Sequence, residues 1–383
     1  MMDIEKLFAE VETYREEMLS TWKQLVNRDA GSANKEGVDA VGRDISVFLK
    51  TLGFTVRFHE YENAGNMLVA EIGDAEKPFV VLTGHMDTVF ADGTAAARPF
   101  HIEGDTVTGP GVLDMKGGVT ILLYAVKFLL ENGYDKYRLK IILAGDEEVA
   151  HAHSTAAADY AKEARGAVMG FNTETGFINN GIVIERKGTA QYLMETGGVG
   201  AHSGNNHEDG RSAVKELAYK ILELEKLTDY EEGTTVNCGV IGGGTVANAV
   251  PEHAWCKIDV RFRKEEGLAR VEKAMRDLET VSYVPETTTQ IKRTIYFGAM
   301  KRLPESEKLF ERANTAAQKY GLPEMKPIAV GGGSDSAFLT AAGVPTLCAL
   351  GVKGEFNHTV REWAQKESLF ERCKLLMVLL LEL

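Results

Sequence analysis

The 383-residue chain is poor in cysteine. Its four thiols, Cys238, Cys256, Cys348 and Cys373, show no close paired spacing and sit in apolar or strand-like contexts. That excludes a disulfide-stapled scaffold and reads as reduced core thiols, with the cytoplasm as the simplest location. Long apolar runs are missing too: the longest, Leu375 to Leu381, is far too short to span a bilayer, so no membrane partner is expected. The start, Met1-Met2-Asp3-Ile4-Glu5-Lys6, lacks a basic region followed by an apolar one, so no secretory leader is expected. Basic charge is in deficit, with 43 Lys and Arg against 56 Asp and Glu and a net charge of −13. A nucleic-acid partner held through its phosphates is therefore not expected. No internal repeat or low-complexity tract appears.

At this length one ordinary core does not suffice, and two domains are the default. Hydrophobic content of 44%, charged content of 26% and 39 glycines fit a globular α/β protein. Helical spacing runs over residues 3–27. A second helix is expected from Lys35 to Leu52, with Ser32 as its cap and Gly53 as its stop. Strand-like runs at Thr55–Tyr61, Met67–Ile72, Phe79–Thr83, Leu139–Ala144 and Ala167–Phe171 alternate with helices at Lys116–Glu131 and Ser154–Glu163. Continuous apolar strands between helices predict a sheet covered on both faces. Near Glu185 the pattern changes to strand, helix, strand, strand, helix, strand, ending at Gln290–Tyr296, a split βαβ arrangement. After Ala299 the α/β pattern resumes with a helix at Glu305–Tyr320, a strand at Pro345–Leu350 and a last helix from Trp363.

Acidic and histidine residues stand where these strands end. His85 follows the run Phe79–Thr83, at the carboxyl end of a buried strand, where ligands of open α/β sheets collect. Asp87, two positions on, can accept a hydrogen bond from the second imidazole nitrogen, or the pair is a turn histidine and a helix cap. Asp114 lies between Gly109-Pro110-Gly111 and Lys116-Gly117-Gly118, at a bent entry to a helix. It either caps that helix or bridges two cations. Glu147 and Glu148 follow the strand Leu139–Ala144; one can ligate a metal while the other moves a proton, or both can start a helix. Glu174 follows Ala167–Phe171, and His358 lies in Phe356-Asn357-His358-Thr359. His85, Asp114, Glu148, Glu174 and His358 supply two metals with two terminal ligands each and one bridge, which leaves Glu147 free. Nitrogen and oxygen donors without cysteine suit zinc, with cobalt or manganese as alternatives.

In this order the motifs resemble the zinc-dependent peptidase and deacylase family of glutamate carboxypeptidase, acetylornithine deacetylase and succinyl-diaminopimelate desuccinylase, over nearly the whole chain. The resemblance implies two Zn2+ per subunit, with His85 and Glu174 on one, Glu148 and His358 on the other, and Asp114 across both. Asp87 would orient His85, and Glu147 would be the general acid/base. It also implies that His202, in Ala201-His202-Ser203-Gly204, stabilises the oxyanion. Asn248, in Asn248-Ala249-Val250-Pro251, and Arg261, in Asp259-Val260-Arg261, would bind substrate, while Gly332, Gly333 and Ser334 of the glycine-rich stretch Gly331–Ser336 would line its pocket. Arg261 reads equally well as one half of a surface salt bridge.

The implied fold is a mixed-sheet α/β/α catalytic domain (1–186 and 299–383) with an inserted, smaller α+β, ferredoxin-like lid and dimerisation domain (187–298). Hinges would lie near Arg186-Lys187 and Gly298, and a homodimer would form through the lid. The implied reaction is hydrolysis of an amide bond in a small peptide or acyl-amino acid with a free carboxylate, glutamate carboxypeptidase-like in the first place. An N-acyl-amino-acid deacylase is the second reading. A catalytically silent binding protein of the same fold is the third, and the complete ligand set with Glu147 weighs against it. Two departures stand out. Val149-Ala150-His151-Ala152-His153 replaces the glycine and serine that usually follow the paired glutamates, which implies an altered pocket beside the metals. Thr175-Gly176 follows Glu174 where a proline is common.

Overall fold

Alternation along each apolar strand divides the core of the main sheet between two faces. Val80, Leu82, Ile141 and Leu143 pack with Val38, Val41, Ile45 and Leu49 of the helix Lys35–Thr51 and with the helix Gly117–Glu131. Val81, Ile142 and Ala144 point the other way, to Tyr160, Ala164 and Leu339. Each fully buried side chain of this size contributes about 1.5–3 kcal/mol of transfer free energy, so a one-residue register slip would be prohibitive. The computed structural model describes residues 3–383; Met1 and Met2, where the search for a leader began, lie outside them. The six-stranded mixed sheet has the order Thr55–His59, Gly65–Ile72, Arg138–Gly145, Phe79–His85, Met169–Asn172, Thr346–Leu347. The last four strands run parallel to one another, and Gly65–Ile72 runs antiparallel to both of its neighbours.

The described chain separates into two compact units. One runs to Glu185 and resumes at Arg302–Ala329 and Ser334–Leu383; the other comprises Arg186–Lys301 and Val330–Gly333. The second unit is a four-stranded antiparallel sheet, in the order Thr235–Gly243, His253–Phe262, Gly188–Gly197, Thr288–Phe297, with the helices Ala213–Glu225 and Glu265–Glu279. Its core takes alternate strand residues, among them Tyr192, Met194, Val260 and Phe262, and one stripe of each helix. The mixed α/β class read from the sequence is the one observed.

Several local expectations change. The helix expected over residues 3–27 is two helices, Ile4–Thr13 and Arg15–Val26, broken at Tyr14. The helix at Lys35 is capped by Asn34, whose side chain accepts from the Gly37 N–H at 2.8 Å, and not by Ser32. Gly53 ends that helix in the left-handed region, as read. The final helix begins at Lys366, because Trp363–Gln365 is a strand. That strand belongs to a second four-stranded sheet, Gly354–Glu355, Trp363–Gln365, Thr106–Thr108 and His101–Glu103, whose short strands left no periodic signal. Among the described residues no helix is long and apolar enough to cross a membrane.

Candidate metal centre

Three neighbouring parallel strands end on one edge of the main sheet. His85 is the last residue of the central one, in register with Ala144. The next strand, Arg138–Gly145, leads directly into a short helical turn, Glu147–Val149, and Met169–Asn172 leads into Glu174. Asp114 reaches the same edge from a turn whose backbone leaves helical geometry at Asp114 and Met115. The helix after that turn runs close over the Glu174 strand end: a Cβ on Gly118 would lie 1.8 Å from the carbonyl oxygen of Thr173. Only glycine permits that approach.

The small second sheet brings in the distant partner. Gly354–Glu355 and Trp363–Gln365 pair antiparallel, so residues 356–362 form the loop between them, with His358 on it. Trp363–Gln365 then pairs with Thr106–Thr108, the strand that leads into the Asp114 turn. Asp114 consequently faces both histidines. Its Oδ1 lies 3.1 Å from His85 Nε2, and its Oδ2 lies 3.0 Å from His358 Nε2. His85 Nε2 is also 3.8 Å from Glu174 Oε2 and 4.0 Å from Glu147 Oε2, and His358 Nε2 is 3.0 Å from Glu148 Oε2. Two groups emerge whose donor atoms lie within 4.8 Å of one another, His85–Asp114–Glu174 and Asp114–Glu148–His358, and Asp114 is common to both.

Asp87 does more than orient His85. The imidazole Nδ1 lies 3.1 Å from the main-chain carbonyl of Asp87 and 3.4 Å from its carboxylate, so donation from Nδ1 directs the Nε2 lone pair at the site. The fully buried carboxylate accepts from the backbone N–H groups of Glu147 (3.1 Å) and Glu148 (3.2 Å) and from the Ser32 hydroxyl (2.7 Å). One side chain thus holds three members of the cluster in place.

The electrostatics call for positive charge. Burial pushes the Glu147 carboxyl well above its usual range; the charges of Asp335, Glu174 and Glu148 add to this and His85 opposes it. Burial and then the Asp114 charge raise Glu148 to about 8. Hydrogen bonds to Asp114 and Glu148 hold His358 at about 11. Burial alone would raise Asp114, but its bonds to His358 and His85 hold it well below the usual range. Among the described residues no lysine or arginine pairs with Asp114, Glu147 or Glu148. The buried Glu148 Oε1 has no hydrogen-bond partner. An orphaned carboxylate oxygen inside a nitrogen–oxygen donor set fits divalent cations.

Sequence reading missed two supports of this centre. The fully buried Glu362 carboxylate accepts from the backbone N–H groups of Gly111 (3.0 Å), Leu113 (2.9 Å) and Asp114 (3.1 Å), fixing the turn that presents Asp114. Asn357 Nδ2 donates to Asp114 Oδ2 at 2.9 Å. Their closeness to His358 in sequence was the only available signal. His151 belongs to neither group; it is buried between Asp146 and Asp335.

The remaining site candidates lie apart from this cluster in sequence. In the second unit, His202 and Asn248 are exposed and line a groove of about 650 Å³ with Val246, Glu252, His253 and Trp255. His202 Nδ1 accepts from the N–H groups of Gly204 (3.1 Å) and Asn205 (3.2 Å), which leaves Nε2 as the ring's donor. Arg261 is held by Asp259, with Nε at 2.8 Å from Oδ2 and Nη2 at 3.3 Å from Oδ1, the salt bridge that was its other reading. The carbonyls of Gly332 and Gly333 accept from Arg186 Nη1 at 3.2 and 3.1 Å. In the first unit, Ser334 is fully buried. Its hydroxyl accepts from the Ser336 N–H and lies 3.5 Å from Cys348 Sγ.

Comparison with known proteins agrees with this geometry. Residues 81–382 match the model of peptidase family M20/M25/M40. Carboxypeptidase G2 of Pseudomonas sp. (strain RS-16) is 27% identical over 346 residues, covering 89% of this chain and 83% of that protein. A tripeptidase of Staphylococcus aureus superposes with a TM-score of 0.81 at 22% identity, covering 96% of this chain and 97% of its own. The aminopeptidase PepT of Bacillus cereus gives 0.79 at 21%, covering 96% and 98%. At such identities the two structures show a shared fold. The matched stretch carries every member of the cluster from His85 to His358, and the chain belongs to peptidase family M20/M25/M40, a family of metal-dependent peptidases and amidohydrolases.

Proposed function

We propose that the protein is a two-metal hydrolase of the carboxypeptidase kind, cleaving the amide bond of a small peptide or acyl-amino acid that carries a free carboxylate. The observation that carries this reading is Asp114, whose two oxygens face two separate histidine–glutamate groups at 3.1 and 3.0 Å. His85 and Glu174 would hold one cation, Glu148 and His358 the other, and Asp114 both; two Zn2+ suit the donors, with Co2+ or Mn2+ as alternatives. Bound there, the cations supply Lewis acidity to the scissile carbonyl and acidify water.

Glu147 is the general base and then the general acid. It is buried beside the cluster, its carboxyl favours holding a proton, and Asp87 fixes its backbone N–H. A proton taken from the attacking water returns through Glu147 to the leaving nitrogen. His202, donating from Nε2, is assigned to the developing oxyanion. Asn248 and Arg261, with the Gly332–Gly333 segment, are assigned to the substrate. Asp259 pre-orients the Arg261 fork, which suits a planar carboxylate. The second unit is assigned the roles of lid and dimer contact. Its edge strand Thr235–Gly243 exposes Val240 and Ile241, the kind of apolar edge that a second copy covers.

The deciding experiment measures turnover and metal content of wild type and Glu147→Ala on a matched panel of dipeptides, aroyl-glutamates, and N-acetyl and N-succinyl amino acids. Preference for a C-terminal glutamate, abolished by Glu147→Ala with metal retained, supports the carboxypeptidase reading. Preference for small N-acyl groups moves the protein to the deacylases. Metal binding without turnover on any substrate refutes both.

A further inference from the structure

The Asp146–His151–Asp335 cluster takes no part in the chemistry assigned above, yet it abuts the loop that performs it. His151 Nδ1 lies 2.8 Å from Asp146 Oδ1, and its Nε2 lies 2.8 Å from Asp335 Oδ1. All three side chains are buried. The second oxygen of each carboxylate has no partner, and among the described residues His151 is the only cation paired with either acid. A neutral imidazole donates from one nitrogen only; short bonds to two carboxylates use both N–H groups of an imidazolium.

We infer that His151 is a positioning residue, an imidazolium shared between Asp146 and Asp335 that locks the loop carrying Glu147 and Glu148 to the start of the helix Ser336–Ala341. The inference deepens the hydrolase reading and rests on it for the role of Glu147.

The backbone supports this lock. Ala150 and His151 both adopt φ of +55°, in the left-handed region, although neither is glycine. Strained residues of this kind persist when their surroundings over-determine them. Here the N–H of Ala150 bonds the carbonyl of Glu147 at 2.7 Å, and the N–H of His151 bonds the carbonyl of Asp146 at 3.1 Å. Backbone and side chain of His151 therefore both return to Asp146, closing a ring around Glu147–Ala150. Asp335, heading the other element, fixes that ring from outside. The imidazole also meets Phe338, with ring centroids 5.4 Å apart, and Tyr160, at 6.4 Å. Burial holds the Tyr160 hydroxyl un-ionised, 3.1 Å from each of the strand carbonyls of Gly84 and Ile142, so it offers the imidazole no charge. The charged groups paired with His151 are Asp146 and Asp335, and Glu147 follows Asp146 in the chain.

The test has one readout without turnover and one with it. Nitrogen-15 imidazole spectra of the metal-free protein at pH 7.5, assigned with His151→Gln, should show both His151 nitrogens protonated; a neutral ring overturns the inference. For function, His151→Gln is paired with Asp335→Asn in a double variant, which removes the surplus buried charge and should fold if the single variant does not. Expected for the double variant are wild-type circular dichroism and zinc content, KM within about threefold of wild type, and kcat about 10–100-fold lower, the scale set by groups that orient active-site residues. Amide exchange across Glu147–Ala152 should rise at least about tenfold in the same variant. A well-folded double variant with wild-type kcat and unchanged exchange overturns the positioning role. If wild type itself turns over nothing, the proposed function fails, and the spectra and the exchange rates still decide the inference.

Discussion

Glu362 offers the sharpest test of how the centre is held. Its carboxylate accepts three buried backbone N–H groups, Leu113 and Asp114 on Oε1 and Gly111 on Oε2. Burial pushes the Glu362 carboxyl up to about 7, so the comparison holds above that pH, where it is ionised: in Glu362→Gln the amide oxygen can keep the first two as neutral bonds, losing about 0.5–1.5 kcal/mol on each relative to bonds with a charged acceptor. The amide NH2 then confronts the Gly111 N–H, donor against donor, and that orphaned group costs about 1–3 kcal/mol. The sum is about 2–6 kcal/mol, localised at the turn that presents Asp114. Amide exchange of the metal-free protein reads it directly. Protection of Gly111 should fall by at least about 30-fold, the equivalent of ~2 kcal/mol, with smaller losses at Leu113 and Asp114. Metal affinity should fall by about 10–100-fold, since the carboxylate shared by both groups loses its anchor. Wild-type exchange at Gly111 together with unchanged metal affinity would refute the reasoning.

Glu147→Gln should bind metal as wild type does and lose about 10²–10⁴-fold in kcat, the usual contribution of a positioned acid/base, measured under saturating substrate. Chelation should lower the melting temperature, and metal rebinding near neutral pH should release protons, because Glu148 and His358, raised to about 8 and 11, are protonated in the metal-free protein. Calorimetry in two buffers of different ionisation enthalpy reads this, and equal heats would refute it. Glu163 supplies a pH test remote from the site. Burial pushes it up, but hydrogen bonds from Arg57, His59 and Lys140 outweigh this and hold it at about 2. A folded value below the unfolded one means stability that is present above the ordinary 4.5 and lost as pH falls towards 2. Glu163→Gln should therefore cost about 1–3 kcal/mol at pH 7 by urea denaturation, with the gap from wild type closing below pH 4.5.

Strand ends made much of the cluster legible. An apolar run ending in Gly84-His85, another ending before Asp146-Glu147-Glu148 and a third before Glu174 announce their own termini, because a buried parallel strand needs an unbroken apolar stretch and its end is where polarity begins. Period-two strands such as His253–Phe262 differ from period-independent buried ones, which is why the pattern changes visibly near Glu185. The helix cap was misread because Ser32 and Asn34 are equally good caps by type; the helix begins at Lys35, which makes Asn34 the cap, while Ser32 donates to Asp87.

By itself the sequence determined the alternation of elements, the edge at which the candidate donors gather and their chemical kind, because these follow from periodicity and side-chain type along contiguous segments. Tertiary structure decided what joins distant segments. The pairing of Trp363–Gln365 with Thr106–Thr108 brings His358 and Glu362 to the Asp114 turn. The burial of His151 between Asp146 and Asp335 removes that histidine from the donor set. No local periodicity encodes either arrangement. Both depend on which buried polar groups find one another once the chain has closed, and burial makes the pairing compulsory, because a charge left unpaired there would cost more than the fold can supply.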